Sequence, residues 1–425
     1  MLESLYIHFL KYPSISTDTR TLKSGDIFFA LKGDNFNGNQ YVSKALEMGA
    51  SLCVCSEPQP SGPDRIMVVD DVLVTLSQLA TLHRERSEIP VIGITGSNGK
   101  TTTKELVSTV LSSTYSTHFT KGNLNNHIGV PLTLLQINAD HQFAVVEMGA
   151  NHQGEIKYLS EIAKPDYGLI TNCGKAHLEG FGGFEGVIQG KTELYRYLAS
   201  REGLLFVNGD DPLLLDKSKD QARIRYGKDS SCEVRGKITS TGPMLAFSFY
   251  IGDKEWPIKT NLVGIYNFPN AMAAVAIGLH FGVQPAEIVK AIEGYTPSNH
   301  RSQWVDTGKN QVVIDAYNAN PTSMEAALNT FSNIESDRRR LIIMGEMREL
   351  GIEGIEDHMR LAALASEIKG CRVIMVGEGF KAFAQEWYPT SMELLDELMV
   401  NPVKEHLILV KGSRGNRLEV ILPAL

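Results

Sequence analysis

A short strand, a glycine-rich turn and a helix follow one another without interruption at residues 91–111, in the sequence VIGITGSNGKTTTKELVSTVL. The apolar run after Pro90 predicts a buried strand, and an apolar stripe from Leu106 to Leu111 predicts a helix. Gly96 and Gly99 allow a tight turn with inward-facing N–H groups, and the start of the helix adds unpaired donors and its positive dipole end. The segment therefore predicts a phosphate-binding loop.

In this loop Lys100 can reach the outer phosphates of a nucleotide, and the hydroxyl of Thr101 can hold Mg²⁺. The spacing departs from the common motif, because Ile94 stands where the first glycine is usual and the earlier glycine is Gly96. The alternative is that these glycines simply join a strand to a helix and bind no ligand. The order of strand, Gly-Lys-Thr and helix favours nucleotide binding.

The bulk composition limits the class of protein. A chain of 425 residues predicts two or three domains, and 43% hydrophobic with 21% charged residues is ordinary for a protein with packed cores. A net charge of −8 argues against a general nucleic-acid surface. No apolar stretch approaches the roughly 20 residues of a membrane span, and the N-terminus does not resemble a signal peptide. Five cysteines without metal-like spacing fit a reducing cytoplasm, where we expect this protein.

Residues 1 to about 85 predict a small α/β unit. A turn containing Asp18, Thr19 and Arg20 precedes a strand near residues 27–31, and Lys32 follows that strand. Arg20 and Lys32 are able to bind a diphosphate, but exposed charges near turns are usually only solvated. The residues alone favour the solvated alternative.

The central part, from about residue 90 to about residue 297, carries polar side chains after successive predicted strands. Glu147 ends the apolar run that starts at Phe143, which places a carboxylate at the ligand-binding edge of a parallel sheet and makes it a candidate for Mg²⁺. A glutamate that merely faces solvent is the alternative. The amide-rich loop at residues 122–131 suits either a polar ligand or an ordinary turn.

Two further candidates lie downstream in the same part. His177 follows a strand at residues 167–171, and a lone histidine is more often structural than a ligand. Lys191 lies in a helix-like stretch at residues 190–195, where a plain surface lysine is the alternative. Further strands are predicted at residues 203–208, 223–226 and 244–251, and we expect the later ones of these to be antiparallel.

The last part, from about residue 298 to residue 425, alternates four predicted strands with helices and predicts a mostly parallel sheet. The strands are at residues 312–314, 341–344, 372–376 and 406–410. Asp315 follows the first of them and is placed to accept hydrogen bonds from ribose hydroxyls. Arg301 lies at the hinge before it.

Six motifs together resemble the Mur ligases, the ATP-dependent amide ligases of peptidoglycan precursor synthesis. The matching motifs are Thr95–Thr102, Asn123–Pro131, Glu147–Asn151, Ala176–Gly182, Tyr317–Pro321 and Lys411–Arg414. The resemblance runs nearly end to end, and the altered phosphate-loop spacing is the normal form in this family. It implies an α/β protein of three domains. These are a small N-terminal UDP-substrate domain at 1–85, a central phosphate-loop domain with a mostly parallel sheet flanked by helices at 86–297, and a Rossmann-like C-terminal domain at 298–425 that closes over ATP.

The resemblance also implies roles for individual residues. ATP would be bound by Gly96, Ser97, Asn98, Gly99, Lys100, Thr101, Thr102, Asn267, Asn270, Arg301, Asp315 and Asn318. Substrate would be bound by Asp18, Thr19, Arg20, Lys32, Asn123, Asn125, Asn126, His127 and Asn320. Two Mg²⁺ ions would be served by Thr101, Glu147, His177 and Lys191, with Lys191 as a carbamate. The catalytic residues would be Lys100, His177, Lys191 and Arg301.

Within the family, the loops at residues 123–131 and 317–321 favour the step that adds D-alanyl-D-alanine to UDP-N-acetylmuramoyl-tripeptide through an acyl phosphate. Another Mur-type ligase, a folylpolyglutamate-type ligase and a non-catalytic nucleotide-binding regulator are the alternatives. We expect a monomer.

Two departures from the family pattern affect the assignments. Asn37-Gly38-Asn39 stands where Asp-Gly-His is frequent, which weakens the uridine-side assignments. Ala316 follows Asp315 where a second aspartate is common, which leaves one carboxylate for the ribose.

Overall fold

The computed structural model describes residues 1–59, 63–240, 242–297, 301–351 and 354–425. Its larger sheets have four, nine and six strands, and they follow one another along the chain. This arrangement confirms the α/β class and the three-part organisation. The predicted domain boundaries at 85/86 and 297/298 fall between successive sheets and stay predictions.

The first unit has a parallel sheet in the order β1-β2-β5-β6, beside a small antiparallel β3-β4 pair. Its strands are β1 Ile15–Ser16, β2 Ile27–Phe29, β3 Lys32–Gly33, β4 Phe36–Asn37, β5 Leu52–Cys55 and β6 Ile66–Val68. Its helices are α1 Leu2–Lys11, α2 Val42–Glu47 and α3 Val72–Arg86. Leu76 and Leu79 of α3 belong to the same apolar core as Val130 and Leu159 of the central unit, so α3 packs the two units together.

The central sheet has the order β15-β14-β13-β12-β11-β10-β7-β9-β8. Its strands are β7 Val91–Thr95, β8 Thr117–Phe119, β9 Phe143–Glu147, β10 Tyr167–Ile170, β11 Leu204–Asn208, β12 Arg223–Gly227, β13 Val234–Ile238, β14 Met244–Ile251 and β15 Lys254–Val263. Its helices are α4 Lys100–Ser112, α5 Gly129–Leu134, α6 Glu155–Ala163, α7 Leu178–Phe181, α8 Phe184–Lys191, α9 Glu193–Ala199, α10 Pro212–Lys217, α11 Phe268–His280 and α12 Pro285–Gly294.

The expectation that the later of the three predicted strands are antiparallel is wrong for β12 and confirmed for β14. β11 and β12 are parallel to their neighbours, and antiparallel pairing begins only between β13 and β14. The reason is the connection through α10, which carries the chain back across the sheet so that β12 runs in the direction of β11. The prediction also omitted β13 and β15. β15 is an edge strand, where Pro257 is tolerated because its missing N–H faces no partner.

The third unit has a six-stranded sheet in the order β16-β17-β21-β18-β19-β20, parallel except for the β16-β17 pair. Its strands are β16 Gln303–Asp306, β17 Gln311–Asp315, β18 Arg339–Gly345, β19 Cys371–Val376, β20 Trp387–Tyr388 and β21 His406–Lys411. Its helices are α13 Pro321–Ser332, α14 Gly354–Ser366 and α15 Ser391–Val400. All four predicted strands of this part are confirmed.

Apolar residues cover both faces of the central and third sheets, as parallel strands with helices on both sides require. Cys53 and Cys55 are buried small residues on the same face of strand β5, and neither forms a disulfide. None of the helices in the described ranges is long and apolar enough to cross a bilayer.

Candidate active site

A cavity of about 770 Å³ lies between the carboxyl ends of the central strands and the loops of the third unit. The predicted site residues among its lining are Ser97, Asn98, Gly99, Lys100, Thr101, Thr102, Asn123, Asn125, Asn126, His127, Glu147, His177, Asn267, Asn270, Arg301, Asp315 and Asn318. Strands of a parallel sheet end at one edge, so loops that are distant in sequence meet there.

The phosphate loop has the backbone that its glycines predicted. Gly96 and Gly99 have φ of 140° and 80°, and a Cβ on Gly96 would lie 2.0 Å from the hydroxyl oxygen of Thr171. Gly99 is the N-cap of α4, so the unpaired N–H groups of this helix open into the loop. The loop is therefore built for close approach of an anion.

The end of β10 holds the loop in this shape. The Thr171 hydroxyl and the Asn172 amide both donate to the Asn98 carbonyl, at 2.6 and 3.0 Å. The Asn98 N–H donates to the Asn172 side chain at 3.1 Å. Sequence reasoning did not assign these two residues, although their position after a strand next to β7 is the signal that indicates them.

The cation of the loop, Lys100, has no carboxylate within bonding distance among the described residues. Its Nζ donates to the carbonyls of Gly96 at 2.7 Å and Ser97 at 3.2 Å. Burial lowers the pKa of Lys100, the nearby Glu147 opposes that shift, and Arg301 adds to it. Its positive charge is thus left without a direct counter-charge at the floor of the cavity.

Glu147 is buried and only half satisfied. Its Oε1 accepts from the Thr101 hydroxyl at 3.2 Å and from the Asn125 side chain at 2.8 Å, whereas its Oε2 has no hydrogen-bond partner. A buried carboxylate oxygen without a donor is costly unless a cation binds it. Glu147 is 1% exposed and lines the cavity together with Lys100 and Thr101.

Lys191 is buried and is not part of the cavity lining. It ends α8, it is 1% exposed, and its Nζ donates to the carbonyl of Ala150 at 3.1 Å above the ring of Phe181. Burial, followed by the charge of Lys100, lowers the pKa of Lys191 to about 7. The surface-lysine alternative is therefore wrong, because the side chain is enclosed and its ammonium has no carboxylate partner within the described part of the chain.

His177 bridges the central and third units. Its Nδ1 contacts the carboxylate of Glu349, and both residues line the cavity. Burial lowers the pKa of His177, and the cations Lys100 and Lys191 lower it further against the effect of Glu349. Sequence reasoning missed Glu349, because no local pattern marks it.

Asn267 and Asn270, both predicted to bind ATP, form a chain of hydrogen-bonded amides beside the phosphate loop. Asn270 accepts from Thr103 of α4 at 3.1 Å and donates to Asn267 at 3.0 Å, and Asn267 donates to the carbonyl of Val263 at 2.9 Å. Both asparagines are buried in the cavity wall.

In the third unit, Asp315 already has a counter-charge. Lys411 is the register partner of Asp315 on the neighbouring strand β21, and its Nζ lies 2.9 Å from Asp315 Oδ2. The same ammonium donates to the carbonyl of Asn318 at 3.0 Å. The sequence marks Lys411 only as part of a motif, and the pairing of β17 with β21 identifies Asp315 as its partner.

Asn320 does not line the cavity and instead joins the two units. Its side-chain amide donates to Asn98 Oδ1 at 2.6 Å, and its Oδ1 caps α13 by accepting from the Ser323 N–H at 2.9 Å. Its role as a substrate ligand stays a prediction, since the amide is already engaged by the phosphate loop.

The amide-rich loop and the first unit differ in their relation to the cavity. Asn123, Asn126 and His127 are part of the lining. The four predicted residues of the first unit, Asp18, Thr19, Arg20 and Lys32, are not.

The residues present fit magnesium delivered with a nucleotide. No group of three His, Cys, Asp or Glu side chains in the described residues forms a metal site by itself. Mg²⁺ is usually bound through one or two carboxylates, waters and phosphates rather than by an all-protein cage. The free Oε2 of Glu147, beside the hydroxyl of Thr101, supplies the oxygen donors that such an ion prefers.

Family comparisons cover most of the chain. The model of the Mur ligase family catalytic domain matches residues 11–97, that of the Mur ligase middle domain matches 94–278, and that of the glutamate ligase domain of Mur ligases matches 300–414.

Individual relatives match over nearly their full length. The UDP-N-acetylmuramoyl-tripeptide–D-alanyl-D-alanine ligase of Bacillus subtilis is 36% identical, with 97% of this chain and 92% of the relative covered. A crystal structure of MurF from Acinetobacter baumannii superimposes with a TM-score of 0.87 at 32% identity, over 96% of this chain and 92% of the other. MurF ligase from Thermotoga maritima in complex with ADP gives a TM-score of 0.86 at 25% identity, over 98% and 97% of the two chains.

Proposed function

Because the chain belongs to the Mur ligase family, we propose that it is the ATP-dependent ligase that adds D-alanyl-D-alanine to UDP-N-acetylmuramoyl-tripeptide in peptidoglycan synthesis. Full-length similarity to enzymes named for this reaction supports the choice of substrates. The need for ATP and for this precursor favours the cytoplasm as the place of reaction.

The observation that carries the proposal is the charge arrangement in the cavity. Lys100 and Arg301 present positive charge that no carboxylate bonds directly in the described residues, and Glu147 presents one oxygen without a donor. A polyphosphate with bound Mg²⁺ satisfies both kinds of group at once. A binding module for a neutral ligand has no need of this arrangement.

The chemistry requires activation of a carboxylate, which is a poor electrophile. In the proposed first step, a carboxylate oxygen of the tripeptide attacks the γ-phosphorus of ATP and ADP leaves. In the second step, the amine of D-alanyl-D-alanine attacks the acyl carbon, the amide bond forms and inorganic phosphate leaves. Such phosphoryl transfer depends mainly on placement and electrostatic stabilisation.

The residues of the cavity divide this work. The N–H groups of the phosphate loop and the ammonium of Lys100 bind and orient the phosphates, and Arg301 offsets charge that develops on the transferred group. Asn98 and Asn320 hold the third unit against the loop, which keeps water from an acyl phosphate. We assign Asn123, Asn126 and His127 to substrate binding, because they line the same cavity as Lys100 and Glu147.

We propose that two magnesium ions take part in the reaction. Thr101 and Glu147 would hold the first, and His177 with a carbamate on Lys191 would hold the second. Bound magnesium supplies Lewis-acid stabilisation of phosphoryl oxygens.

The surroundings of Lys191 support a carbamate there. Carbamate formation needs a neutral amine, and a pKa of about 7 leaves much of Lys191 neutral near physiological pH. The enclosed Nζ has a carbonyl and an aromatic ring as neighbours rather than a carboxylate. A carbamate would replace a repelled ammonium by an anion with oxygen donors.

The first unit is assigned to the UDP end of the substrate on the resemblance alone, with Asp18, Thr19, Arg20 and Lys32 as its contacts. We also propose the boundaries 1–85, 86–297 and 298–425 for the three domains, and a monomer.

The deciding experiment supplies UDP-N-acetylmuramoyl-tripeptide, ATP and Mg²⁺ with one amine at a time. We expect phosphate release, and a product with the mass of the pentapeptide, only with D-alanyl-D-alanine. Release with D-alanine or glutamate but not the dipeptide would indicate another Mur-type or folylpolyglutamate-type ligase. ATP binding without amide formation for any amine would indicate a regulator.

The carbamate is tested separately through Lys191→Ala. We expect about a hundredfold loss of activity or more, partly restored by short carboxylic acids such as formate, because they return an anionic oxygen donor to the space. Lys157→Ala, on an exposed side chain of α6, is the control. A Lys191→Ala enzyme with full activity would exclude the carbamate.

A further inference from the structure

Two arginines and a tyrosine form a cluster on the third-unit side of the cavity. The guanidinium carbon of Arg301 lies 3.8 Å from the centre of the Tyr317 ring, and that of Arg414 lies 5.4 Å from the same centre. All three residues line the cavity. We call them the arginine–tyrosine cluster.

Strand pairing explains why these distant residues meet. β17 and β21 are parallel neighbours with Asp315 opposite Lys411, so the chain leaves both strands at the same edge of the sheet. Tyr317 follows Asp315 by two residues, and Arg414 follows Lys411 by three. Arg301 lies two residues before β16, and the first residue of β16, Gln303, pairs with Ile314 near the end of β17.

Neither guanidinium has an acidic partner in the described ranges. Asp315, which also lines the cavity, is engaged by Lys411 at 2.9 Å, and those two side chains are 17% and 2% exposed. Each arginine therefore presents free N–H donors beside the cavity. Two like charges near one ring repel each other, and the negative face of the ring offsets part of that cost.

The arginine–tyrosine cluster lies near the phosphate loop, and this position indicates which anion its arginines bind. Arg301 is close enough to Lys100 for their charges to interact, and Lys100 is the cation of the phosphate loop. Arg414 shares the Tyr317 ring with Arg301. The cluster thus extends the positive charge of the phosphate loop across the cavity to the third unit.

We propose that Arg414 binds the outer phosphates of ATP together with Arg301, and that Tyr317 is a positioning residue that holds both guanidinium groups in place for them. This inference rests on the proposed function only in taking ATP as the nucleotide. The carboxylate of the incoming dipeptide is the other anion of the reaction, and the experiment separates the two.

The experiment measures the dissociation constants of ATP, ADP and AMP with Mg²⁺ for the full chain and its variants. We expect Arg414→Ala to weaken ATP about tenfold, ADP by less, and AMP by less than twofold, because AMP lacks the outer phosphates. Arg417→Ala, which removes the same charge from an exposed residue of the same segment outside the cavity lining, is the matched control and should leave all three constants unchanged.

Tyr317 is tested by a pair of variants. Tyr317→Phe keeps the ring and should bind ATP within about twofold of the parent, whereas Tyr317→Leu removes it and should weaken ATP about threefold to tenfold. The double variant Tyr317→Leu with Arg414→Ala should lose less than the product of the two single effects, since both changes remove one shared interaction. AMP affinity reports whether each variant is folded.

Three results would overturn the inference. One is an equal loss of affinity for AMP and ATP. Another is unchanged ATP binding with a raised KM for D-alanyl-D-alanine, which would assign Arg414 to the dipeptide carboxylate. The third is full additivity of the double variant. An unmodified chain that binds no ATP would instead contradict the proposed function itself.

Discussion

The cavity and the first unit both carry charged residues predicted to bind phosphate, but they hold their charges in opposite ways. Lys100 in the cavity lining and Lys191, buried outside that lining, donate only to carbonyls, and Glu147 leaves one buried oxygen without a donor. In the first unit, Arg20 is 86% exposed and lies 2.6 Å from Asp18, and Lys32 lies 3.4 Å from Glu57.

The difference indicates how much each region depends on a ligand. Buried groups without counter-charges are costly, so the cavity holds free energy that a magnesium nucleotide can release. Exposed pairs are mutually satisfied and screened by water, so they contribute little and signal no ligand by themselves. The Arg20 pair also holds the pKa of Asp18 near 2, through hydrogen bonds from the guanidinium and the backbone.

The largest expected effect is that of Glu147→Gln, which removes the orphaned charge and keeps the shape. We expect kcat/KM for ATP to fall about a thousandfold, because magnesium loses its anionic oxygen. The unfolding midpoint should not fall, since an uncompensated buried carboxylate is removed. Steady-state kinetics and thermal unfolding measure the two effects, with Glu185→Gln on an exposed residue as control. A loss of less than tenfold would contradict the assignment of Glu147 to magnesium, and with it the contrast drawn between the cavity and the first unit.

A smaller effect is expected from Asn320→Asp, at the contact between the phosphate loop and the third unit. The aspartate still caps α13, so stability should hold, but it repels Asn98 Oδ1 and the phosphates. We expect kcat/KM for ATP to fall about tenfold to a hundredfold. Thr390→Asp places the same carboxylate at the N-cap of α15, away from the cavity, and should have no effect on ATP kinetics. Equal kinetics for both variants would refute the coupling of the units.

In the first unit, Arg20→Ala and Lys32→Ala should each raise the KM for UDP-N-acetylmuramoyl-tripeptide about threefold to tenfold, if these cations meet the diphosphate. The KM for ATP and the unfolding midpoint should not change, because the side chains are exposed. Lys44→Ala, at an exposed position of α2, is the control. Unchanged kinetics for both variants would leave these residues as ordinary surface charges.

The smallest effect on activity is expected from a substitution of His118, a buried residue of β8 that does not line the cavity. Burial lowers its pKa from 6.5 to about 4, partly opposed by its bond to the Thr133 carbonyl. Between pH 6.5 and pH 4 the unfolded chain binds the proton and the folded chain does not, so the free energy of unfolding falls as the pH falls.

His118→Gln retains a donor for Thr133 and removes this titration. From pH 7 to pH 5 its free energy of unfolding should fall by about 2 kcal/mol less than that of the parent, with activity at pH 7 retained. Urea unfolding at the two pH values measures the difference. Identical pH dependence of the two proteins would show that burial of His118 does not control stability in this range.

Local sequence determined the phosphate loop and the family. Gly96 and Gly99 predict a tight turn, and both have positive φ angles that glycine adopts readily. The roles predicted for Lys100 and Thr101 follow from their positions directly after these glycines. The carboxyl-edge position of Glu147 followed from the apolar run before it. These features depend on neighbours in the chain, so their signal is local. The family assignment and the α/β class are confirmed, whereas the assigned site residues stay predictions.

Tertiary structure alone decided the partners of these groups. The contact of His177 with Glu349 joins residues 172 positions apart, and the pairing of Asp315 with Lys411 joins two neighbouring strands. Burial in the folded chain leaves Glu147 Oε2 without a hydrogen-bond partner. No local pattern encodes them, because strand order and the packing of two units set which loops meet. Whether a charge is buried and unpaired or exposed and paired is likewise a property of the assembled molecule, and it separates the cavity from the first unit.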